Sequence, residues 1–232
     1  MAESATPEQK VIVVDFGAQY GQLIARRVRD LHVYSEIVPC DITAEEVRAI
    51  APAAIILSGG PASVYAEDAP SIDPEILALG IPVLGFCYGQ QAMAVALGGE
   101  VGHTEKGEYG PAVITRAGES ALFDGTPGEQ TVWMSHRDAV SRVPEGFSIT
   151  SRTEVCPVAS MEYPERRLFA TQFHPEVRHT EFGQTMLRNF LFGVRELEPD
   201  WTMDSIIDDS IEAIRAEVGD DRVILGLSGG VD

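Results

Sequence analysis

The sequence predicts an α/β fold whose central, mostly parallel sheet is flanked by helices and carries an added antiparallel β region. Short β-branched, apolar runs alternate with helical segments over the first part of the chain, a pattern typical of parallel strands covered on both faces. Between residues 100 and 170, short β-rich pieces separated by turns replace this alternation, which indicates antiparallel strands.

Local periodicity predicts the elements in order. A β-branched run at 10–15 predicts a buried first strand, and apolar residues at helical spacing predict a helix at 22–31. Thr43, followed three residues later by Glu46, predicts a capping box at the start of the next helix. The same criteria predict strands at 33–38, 53–57 and 81–86, helices at 43–50, 72–79, 90–97 and 180–193, and antiparallel pieces at 111–116, 147–151, 156–163 and 167–173.

The periodicity stops near residue 195, where Pro199 and several acidic residues interrupt it. We therefore predict one domain over residues 10–194, followed by a linker and connecting helix over 195–221. A further apolar strand at 222–227 runs into SGGVD. We expect residues 222–232 to be the first strand and part of a loop of a second, truncated domain.

Composition excludes several classes of protein. The formal charge of −19 argues against a nucleic-acid surface, because phosphate binding needs clustered Lys and Arg. The three cysteines, Cys40, Cys87 and Cys156, are too widely spaced to suggest a disulfide framework or a metal site. No apolar run approaches the roughly 20 residues that span a bilayer, and the N-terminus lacks a hydrophobic signal core. These features predict a cytoplasmic protein.

The strand at 81–86 runs into Gly85-Phe86-Cys87-Tyr88-Gly89 and then a helical segment. Small residues two positions before and after a nucleophile allow a sharp strand-to-helix turn. Such a turn exposes the thiol at the sheet edge and brings it close to the amides of a helix N-terminus, which favour the thiolate. By itself, G-x-C-x-G fits a buried structural cysteine equally well.

A second polar group follows the strand predicted at 167–173. His174, Pro175 and Glu176 stand at its carboxyl end, the edge at which functional groups of open parallel sheets gather. His174 could accept the proton of Cys87, and Glu176 could orient the imidazole. Taken alone, this pair also fits a surface histidine beside an acid.

GFCYGQQ at 85–91 and FHPEV at 173–177 together resemble the class I (triad) glutamine amidotransferases. The resemblance implies the fold of that family and a thioester mechanism. In it Cys87 is acylated by glutamine, His174 acts as general base and acid, and Glu176 supports the histidine. The loop Ser58-Gly59-Gly60-Pro61 is similar to the oxyanion loop of the family. The resemblance implies oxyanion contacts from Gly60 and Tyr88, and glutamine contacts from Gly59, Gln91, Ser135 and His136.

Longer segments narrow the resemblance to family members in which an ATP-pyrophosphatase domain follows the amidotransferase domain. VVDFGAQYGQLIARRVR at 13–29 and QFHPEVRHTEFG at 172–183 look like those members. SGGVD resembles the start of their ATP phosphate loop, namely Ser228, Gly229, Gly230 and Asp232.

This narrower resemblance implies a division of labour between the two domains. L-Glutamine is hydrolysed without a cofactor to glutamate and ammonia. The ammonia aminates adenylated xanthosine monophosphate (XMP) to GMP on the missing domain, which requires ATP and Mg. The resemblance also implies a homodimeric full-length enzyme with no nucleic-acid or membrane partner.

Two residues depart from the pattern. Gly107 stands where Arg is expected before a Glu-aromatic-Gly stretch, and Arg137 stands where Gly is common. Both changes could alter loop closure or contact with the second domain. Asp15 and Asp138 are read as structural, interdomain or solvated, and Cys40 and Cys156 as packing residues.

Two other classes of function stay open at this point. A cysteine hydrolase or peptidase of similar fold would not need an ATP-pyrophosphatase start, and an α/β-hydrolase would place its acid before the histidine. A non-catalytic glutamine-binding protein would not need an intact set of Cys87, His174 and Glu176. Acylation by glutamine would distinguish the enzyme from the binding protein.

Overall fold

The computed structural model describes residues 9–17, 20–60, 63–199, 201, 211, 214–215 and 218–219. In these residues nine strands form one sheet. The strands are β1 (Lys10–Asp15), β2 (Tyr34–Pro39), β3 (Ala54–Leu57), β4 (Val83–Phe86), β5 (Glu100–Arg116), β6 (Glu129–Arg142), β7 (Ser148–Arg152), β8 (Ser160–Tyr163) and β9 (Leu168–Thr171). The α-helices are α1 (Gly21–Arg29), α2 (Ala44–Ile50), α3 (Tyr88–Ala96) and α4 (Gly183–Arg188).

The sheet joins a parallel half to an antiparallel half. Its strand order is β2-β1-β3-β4-β9-β8-β7-β5-β6. The pairs from β2 to β9 are parallel, and those from β9 to β6 are antiparallel. This confirms the predicted fold class. Because β4 and β9 pair in parallel, with Phe86 opposite Thr171, the chain leaves both strands at the same edge of the sheet.

Apolar cores on both faces explain the continuous apolar runs of the parallel strands. Ile12 and Val14 of β1 belong to one core with residues of α2 and α3. Val11 and Val13 belong to the other, with residues of α1 and of the segment after α4. The apolar residues of β1, β3 and β4 are therefore buried whichever face they occupy.

The capping box predicted for α2 is present. The Thr43 side chain accepts a hydrogen bond from the Glu46 amide at 3.2 Å, and the Glu46 carboxylate accepts one from the Thr43 amide at 2.8 Å. The backbone and side-chain hydrogen bonds from Thr43 lower the pKa of Glu46.

The helix predicted at 72–79 is wrong. The segment contains only a 3₁₀ turn, Ile76–Ala78. Asp73 accepts hydrogen bonds from the amides of Glu75 and Ala44, so its side chain ties the backbone to a local turn and to α2. Pro74, next to it, has no amide to donate.

The antiparallel region differs most from prediction. The piece predicted at 111–116 is the last third of the much longer β5. Its partner along most of its length, β6, was not predicted. The closing helix, predicted at 180–193, is an α-helix only over Gly183–Arg188 and continues as a π-helix over Asn189–Val194.

Most of the predicted connecting helix and all of residues 220–232 lie outside the described residues. The strand predicted at 222–227 and the phosphate-loop residues Ser228, Gly229, Gly230 and Asp232 are therefore predictions from sequence alone. Among the helices that the structure does describe, none is both long and apolar enough to cross a membrane.

Candidate active site

Cys87 lies at the sharp turn between β4 and α3. Its backbone has φ 51° and ψ −104°, a conformation that residues with a side chain rarely adopt. Two glycines make the turn possible by close backbone approach. A Cβ on Gly85 would lie 2.8 Å from the carbonyl carbon of Gly89, and a Cβ on Gly89 would lie 2.6 Å from the carbonyl oxygen of Leu57. The strand-to-helix turn predicted from the G-x-C-x-G pattern is therefore present.

The turn fixes the position of Cys87 relative to its neighbours. The Cys87 amide donates to the Thr171 carbonyl of β9 at 2.7 Å, and the residue is 6% exposed. Tyr88 is the first residue of α3, so its N–H is one of the amides that have no partner within the helix. The partial positive charge of such amides favours an anion beside them.

His174 and Glu176 form a buried pair at the edge where β9 ends. His174 Nδ1 lies 2.7 Å from Glu176 Oε1, and the residues are 3% and 0% exposed. The His174 amide donates to the Trp133 carbonyl, and the Thr180 hydroxyl donates to the His174 carbonyl. Within the described part of the chain, Glu176 Oε2 has no hydrogen-bond partner, so the bond to the imidazole is the one that orients this carboxylate.

The pKa of His174 lies well above its ordinary value. Burial is the largest single influence and lowers the pKa of His174. The charge of Glu176 and the hydrogen bonds to Cys87 and Glu176 together raise it by more than burial lowers it. The imidazole thus stands between a thiol and a carboxylate. In that order it can take a proton from sulfur while the carboxylate stabilises the imidazolium.

A cavity of about 360 Å³ opens beside Cys87. Six of the residues singled out by the resemblance line it: Gly60, Cys87, Tyr88, Gln91, Ser135 and His136. Gly59, His174 and Glu176 are not among its lining residues. Of Cys87, His174 and Glu176, the thiol residue is therefore the one that lines the cavity.

Gly60 packs against the ring of Tyr88. A Cβ on Gly60 would lie 2.7 Å from Tyr88 Cγ, so only glycine fits at this distance. The Tyr88 hydroxyl donates to the Pro70 carbonyl at 2.6 Å. Burial, with a smaller contribution from Cys40, raises the pKa of Tyr88 to about 12. The phenol therefore keeps the proton that it donates, and its ring is held between Pro70 and the 58–60 loop.

Gln91 and His136 share one acceptor, the main-chain carbonyl of Asp138. Gln91 Nε2 lies 2.7 Å and His136 Nδ1 3.0 Å from this oxygen. His136 Nε2 lies 3.1 Å from a carboxylate oxygen of Glu108, and Gln91 Nε2 lies 3.1 Å from Gln172 Oε1. These hydrogen bonds hold both cavity-lining side chains in position.

Three residues without a predicted role belong to this surrounding network. Gln172 precedes the FHPE motif and contacts Cys87 Sγ through its side chain. Asp138, read as structural from the sequence, lines the cavity together with His103, and their side chains are hydrogen-bonded. Adjacency in sequence was the available signal, since Gln172 precedes the FHPEV segment at 173–177 and Asp138 follows His136 by two residues.

The two departures from the family pattern lie close to the cavity. A Cβ on Gly107 would lie 2.7 Å from the Tyr109 ring and 2.9 Å from the His136 carbonyl oxygen. The neighbouring chain therefore leaves no room for a side chain at this position without rearrangement. Arg137 lines the cavity.

Glu108, His136 and Cys156 form a cluster whose ligand atoms lie within 4.8 Å of one another. Burial is the main cause that raises the pKa of Cys156 to about 12, with a smaller contribution from the charge of Glu108. A metal that bound here would have to displace the proton of this thiol. Glu108 and His136 are also already bonded to each other and to Thr153 and Asp138.

Comparison with known proteins identifies the family. The family model described as "Glutamine amidotransferase class-I" matches residues 12–194. The chain belongs to the class I glutamine amidotransferases. A Thermotoga maritima glutamine amidotransferase of known structure, at 19% identity and a TM-score of 0.66, has the same fold; the match covers 83% of this chain and 100% of that one.

Relatives within the family carry a more specific name. The GMP synthase [glutamine-hydrolyzing] of Streptococcus mutans is 56% identical over 227 residues, and that of Thermobifida fusca is 54% identical over 235 residues. These matches cover 97% and 100% of this chain but 44% of each relative, so the chain spans less than half the length of the curated relatives. A solved structure of a candidate GMP synthase subunit from Thermoplasma acidophilum is 32% identical, with a TM-score of 0.70, and the match covers 81% of this chain and 94% of that one.

Proposed function

We propose that this chain hydrolyses the side-chain amide of L-glutamine through a thioester on Cys87, releasing ammonia and then glutamate. The observation that carries the proposal is a buried arrangement at one sheet edge in which His174 is hydrogen-bonded to both Cys87 and Glu176. Of these three residues, Cys87 is the one that lines the cavity. Membership of the amidotransferase family supports the choice of an amide substrate. Glu176 follows His174 by two residues, whereas an α/β-hydrolase would place its acid before the histidine. The order of these residues therefore also favours an amidotransferase.

Acylation begins when His174 takes the proton of Cys87. The sulfur attacks the amide carbon, and a carbon–sulfur bond forms while the carbonyl becomes an oxyanion. His174 then gives its proton to the nitrogen, the carbon–nitrogen bond breaks, and ammonia leaves. In the second half, His174 removes a proton from water, which attacks the thioester. Glutamate departs and the thiol is restored.

The oxyanion is stabilised by main-chain amides. We assign this role to the N–H groups of Gly60 and Tyr88, because both residues line the cavity next to Cys87 and Tyr88 begins a helix. Preorganised amides of this kind stabilise the transition state more than the substrate. Gln91, Ser135 and His136, which line the cavity, are assigned to binding the glutamine together with Gly59.

The fate of the ammonia is the second part of the proposal. The relatives are named for both glutamine hydrolysis and GMP synthesis. We infer that ammonia is transferred to adenylated XMP on an ATP-pyrophosphatase domain that uses ATP and Mg, with Ser228, Gly229, Gly230 and Asp232 beginning its phosphate loop. A cytoplasmic homodimer completes this proposal for the full-length enzyme. The domain division at residues 10–194, 195–221 and 222–232 belongs to it as well.

Ammonia release from L-glutamine tests the first part. Cys87→Ala should abolish release, whereas Cys40→Ala and Cys156→Ala should retain it, because neither of these cysteines lines the cavity. Mass spectrometry of the quenched wild-type reaction should detect a glutamyl adduct on the peptide that contains Cys87. Substantial turnover by Cys87→Ala, or an adduct on another cysteine, would refute the assignment.

A further inference from the structure

A buried side-chain amide contacts the sulfur of Cys87. Gln172 Nε2 lies 3.4 Å from Cys87 Sγ, and Gln172 is fully buried. Its main-chain amide donates to the Ala159 carbonyl at 2.8 Å, so the residue is tied to the segment before β8. The contact is therefore part of a rigid wall and not a surface side chain passing near the thiol.

The neighbouring hydrogen bonds determine which end of the Gln172 amide faces the sulfur. Gln91 must direct its NH₂ group toward the Asp138 carbonyl, which can only accept. The same NH₂ group reaches one end of the Gln172 amide at 3.1 Å, and that end must be the oxygen. The NH₂ group of Gln172 is thereby left facing Cys87 Sγ. His136 holds the same Asp138 carbonyl from its other side at 3.0 Å.

We propose that Gln172 is a catalytic residue whose side-chain amide donates a hydrogen bond to the Cys87 thiolate and is aimed there by Gln91. The proposal rests on the proposed function, in which Cys87 is the nucleophile. A donor to sulfur stabilises the charged form more than the neutral thiol, because hydrogen bonds to ionised groups are stronger.

A second contact changes in the opposite sense when the proton leaves. While Cys87 is a thiol, its single proton can be donated either to His174 or to the Ser135 carbonyl oxygen, a contact of 3.7 Å. That contact is favourable only while sulfur carries hydrogen, since a carbonyl cannot donate. Proton transfer to His174 therefore loses the contact with Ser135 and strengthens the one from Gln172. The amide of Gln172 thus favours the reactive state of the site.

The pH dependence of Cys87 alkylation tests this role without glutamine. The measurement is the rate of reaction with iodoacetamide in the 232-residue chain carrying Cys40→Ala and Cys156→Ala, so that only Cys87 reacts. In Gln172→Leu the pH midpoint of alkylation should rise by about one to two units, the effect of losing a hydrogen bond to a charged group. Gln172→Glu should raise it at least as far, because a carboxylate then faces the sulfur.

Gln90→Leu is the matched control. Gln90 is also a fully buried glutamine at the start of α3, and its amide donates to the Val158 carbonyl at 3.1 Å. The variant loses a comparable hydrogen bond that does not involve sulfur, so its alkylation midpoint should stay at the wild-type value. Gln91→Leu should raise the midpoint less than Gln172→Leu, because the Gln172 amide remains but is no longer oriented.

The outcomes separate this inference from the proposed function. An unchanged midpoint in soluble, folded Gln172→Leu or Gln172→Glu would refute the role of Gln172, as would an equal shift in Gln90→Leu. If Cys87→Ala still released ammonia, the proposed function itself would fail, whatever the alkylation midpoints. A rate reduced equally at every pH would indicate that Gln172 only supports the structure, and would also refute the proposal.

Discussion

Glu176→Gln isolates the electrostatic part of the His174–Glu176 pair. The substitution keeps the size of the side chain and an oxygen that can accept from Nδ1 at the present 2.7 Å. It removes the negative charge, which is one of the causes that hold the pKa of His174 above its ordinary value. Burial of the imidazole lowers its pKa, and in the variant the charge of Glu176 no longer opposes this effect. We expect the pKa of His174 to fall.

The expected loss of rate follows from the bond that changes. A hydrogen bond to a charged partner contributes roughly 1.5–3 kcal/mol, which corresponds to about 10- to 150-fold in rate. The lower part of this range is expected, because the amide oxygen still accepts a neutral hydrogen bond. His174→Ala removes the proton acceptor itself and should cost about 10²- to 10⁴-fold.

The assay is initial-rate ammonia release at several glutamine concentrations across a pH series. Glu176→Gln should lower kcat more than it raises KM, since Glu176 does not line the cavity. Tyr20 packs edge-on against the His174 ring at 5.5 Å, so the imidazole keeps an apolar support in the variant. Wild-type kcat in Glu176→Gln, or a smaller loss in His174→Ala than in Glu176→Gln, would refute the assigned roles.

The same substitution should change how the free energy of unfolding depends on pH. The folded-state pKa of His174 is raised, so its contribution to stability is fully present below the unfolded value of about 6.5. This contribution is lost as the pH rises through the folded pKa. Urea denaturation should therefore show the wild type exceeding Glu176→Gln by more at pH 6 than at pH 9. A difference that grows toward pH 9 would contradict the direction of the shift.

Two further predictions concern the 58–60 loop and the start of α2. Gly60→Ala should lower kcat by about 10- to 100-fold, because its Cβ would lie 2.7 Å from the Tyr88 ring and displace an assigned oxyanion donor. Gly128→Ala, where a Cβ meets no atom within 4 Å, should be nearly neutral, and equal losses would contradict the prediction. Thr43→Ala breaks the capping box and should lower the free energy of unfolding by about 1 kcal/mol. It should leave ammonia release unchanged, and unaltered thermal stability would refute it.

The parallel half of the sheet was predictable because its signals are local. Strands β1, β3 and β4 are built on short, continuous apolar runs. Strand β9 was predicted among the antiparallel pieces, but it pairs in parallel with β4 on one side and antiparallel with β8 on the other. The expectation that His174 lies near Cys87 came instead from the rule that catalytic groups gather at the carboxyl ends of parallel strands. The sequence alone therefore placed Cys87 and His174 at one edge, although 87 positions separate them.

The antiparallel half was less predictable because its pattern is interrupted. Strands β5 and β6 pair over most of their length, but the register shifts between His103 and Glu108. His136 and Asp138 are buried in β6 on the same face as Val132 and Met134. Polar residues at these positions break the alternation of apolar and polar residues by which a half-buried strand is recognised. The hydrogen bonds that justify their burial come from residues distant in sequence, and no local rule reports them.

Gln172 illustrates the same limit at the site. Its two side-chain partners, Gln91 and Cys87, are 81 and 85 positions away, and a buried glutamine has no spacing that would reveal them. A sequence motif can therefore indicate which residue reacts before it indicates which residues tune it.

Cys87 has an unfavourable backbone conformation that contacts from distant parts of the chain maintain. Ala51 and Arg167 also have positive φ, but with ψ values of 52° and 38° they occupy the left-handed region common at helix ends. Cys87, with ψ −104°, lies outside that region, so its conformation is the more costly one, by roughly 1–3 kcal/mol. The bond from its amide to Thr171 and the close approach of Gly89 to Leu57 hold it there. The strands on either side of β4, namely β9 and β3, thus maintain the strain at this residue. Loss of either contact should move the sulfur away from both His174 and Gln172.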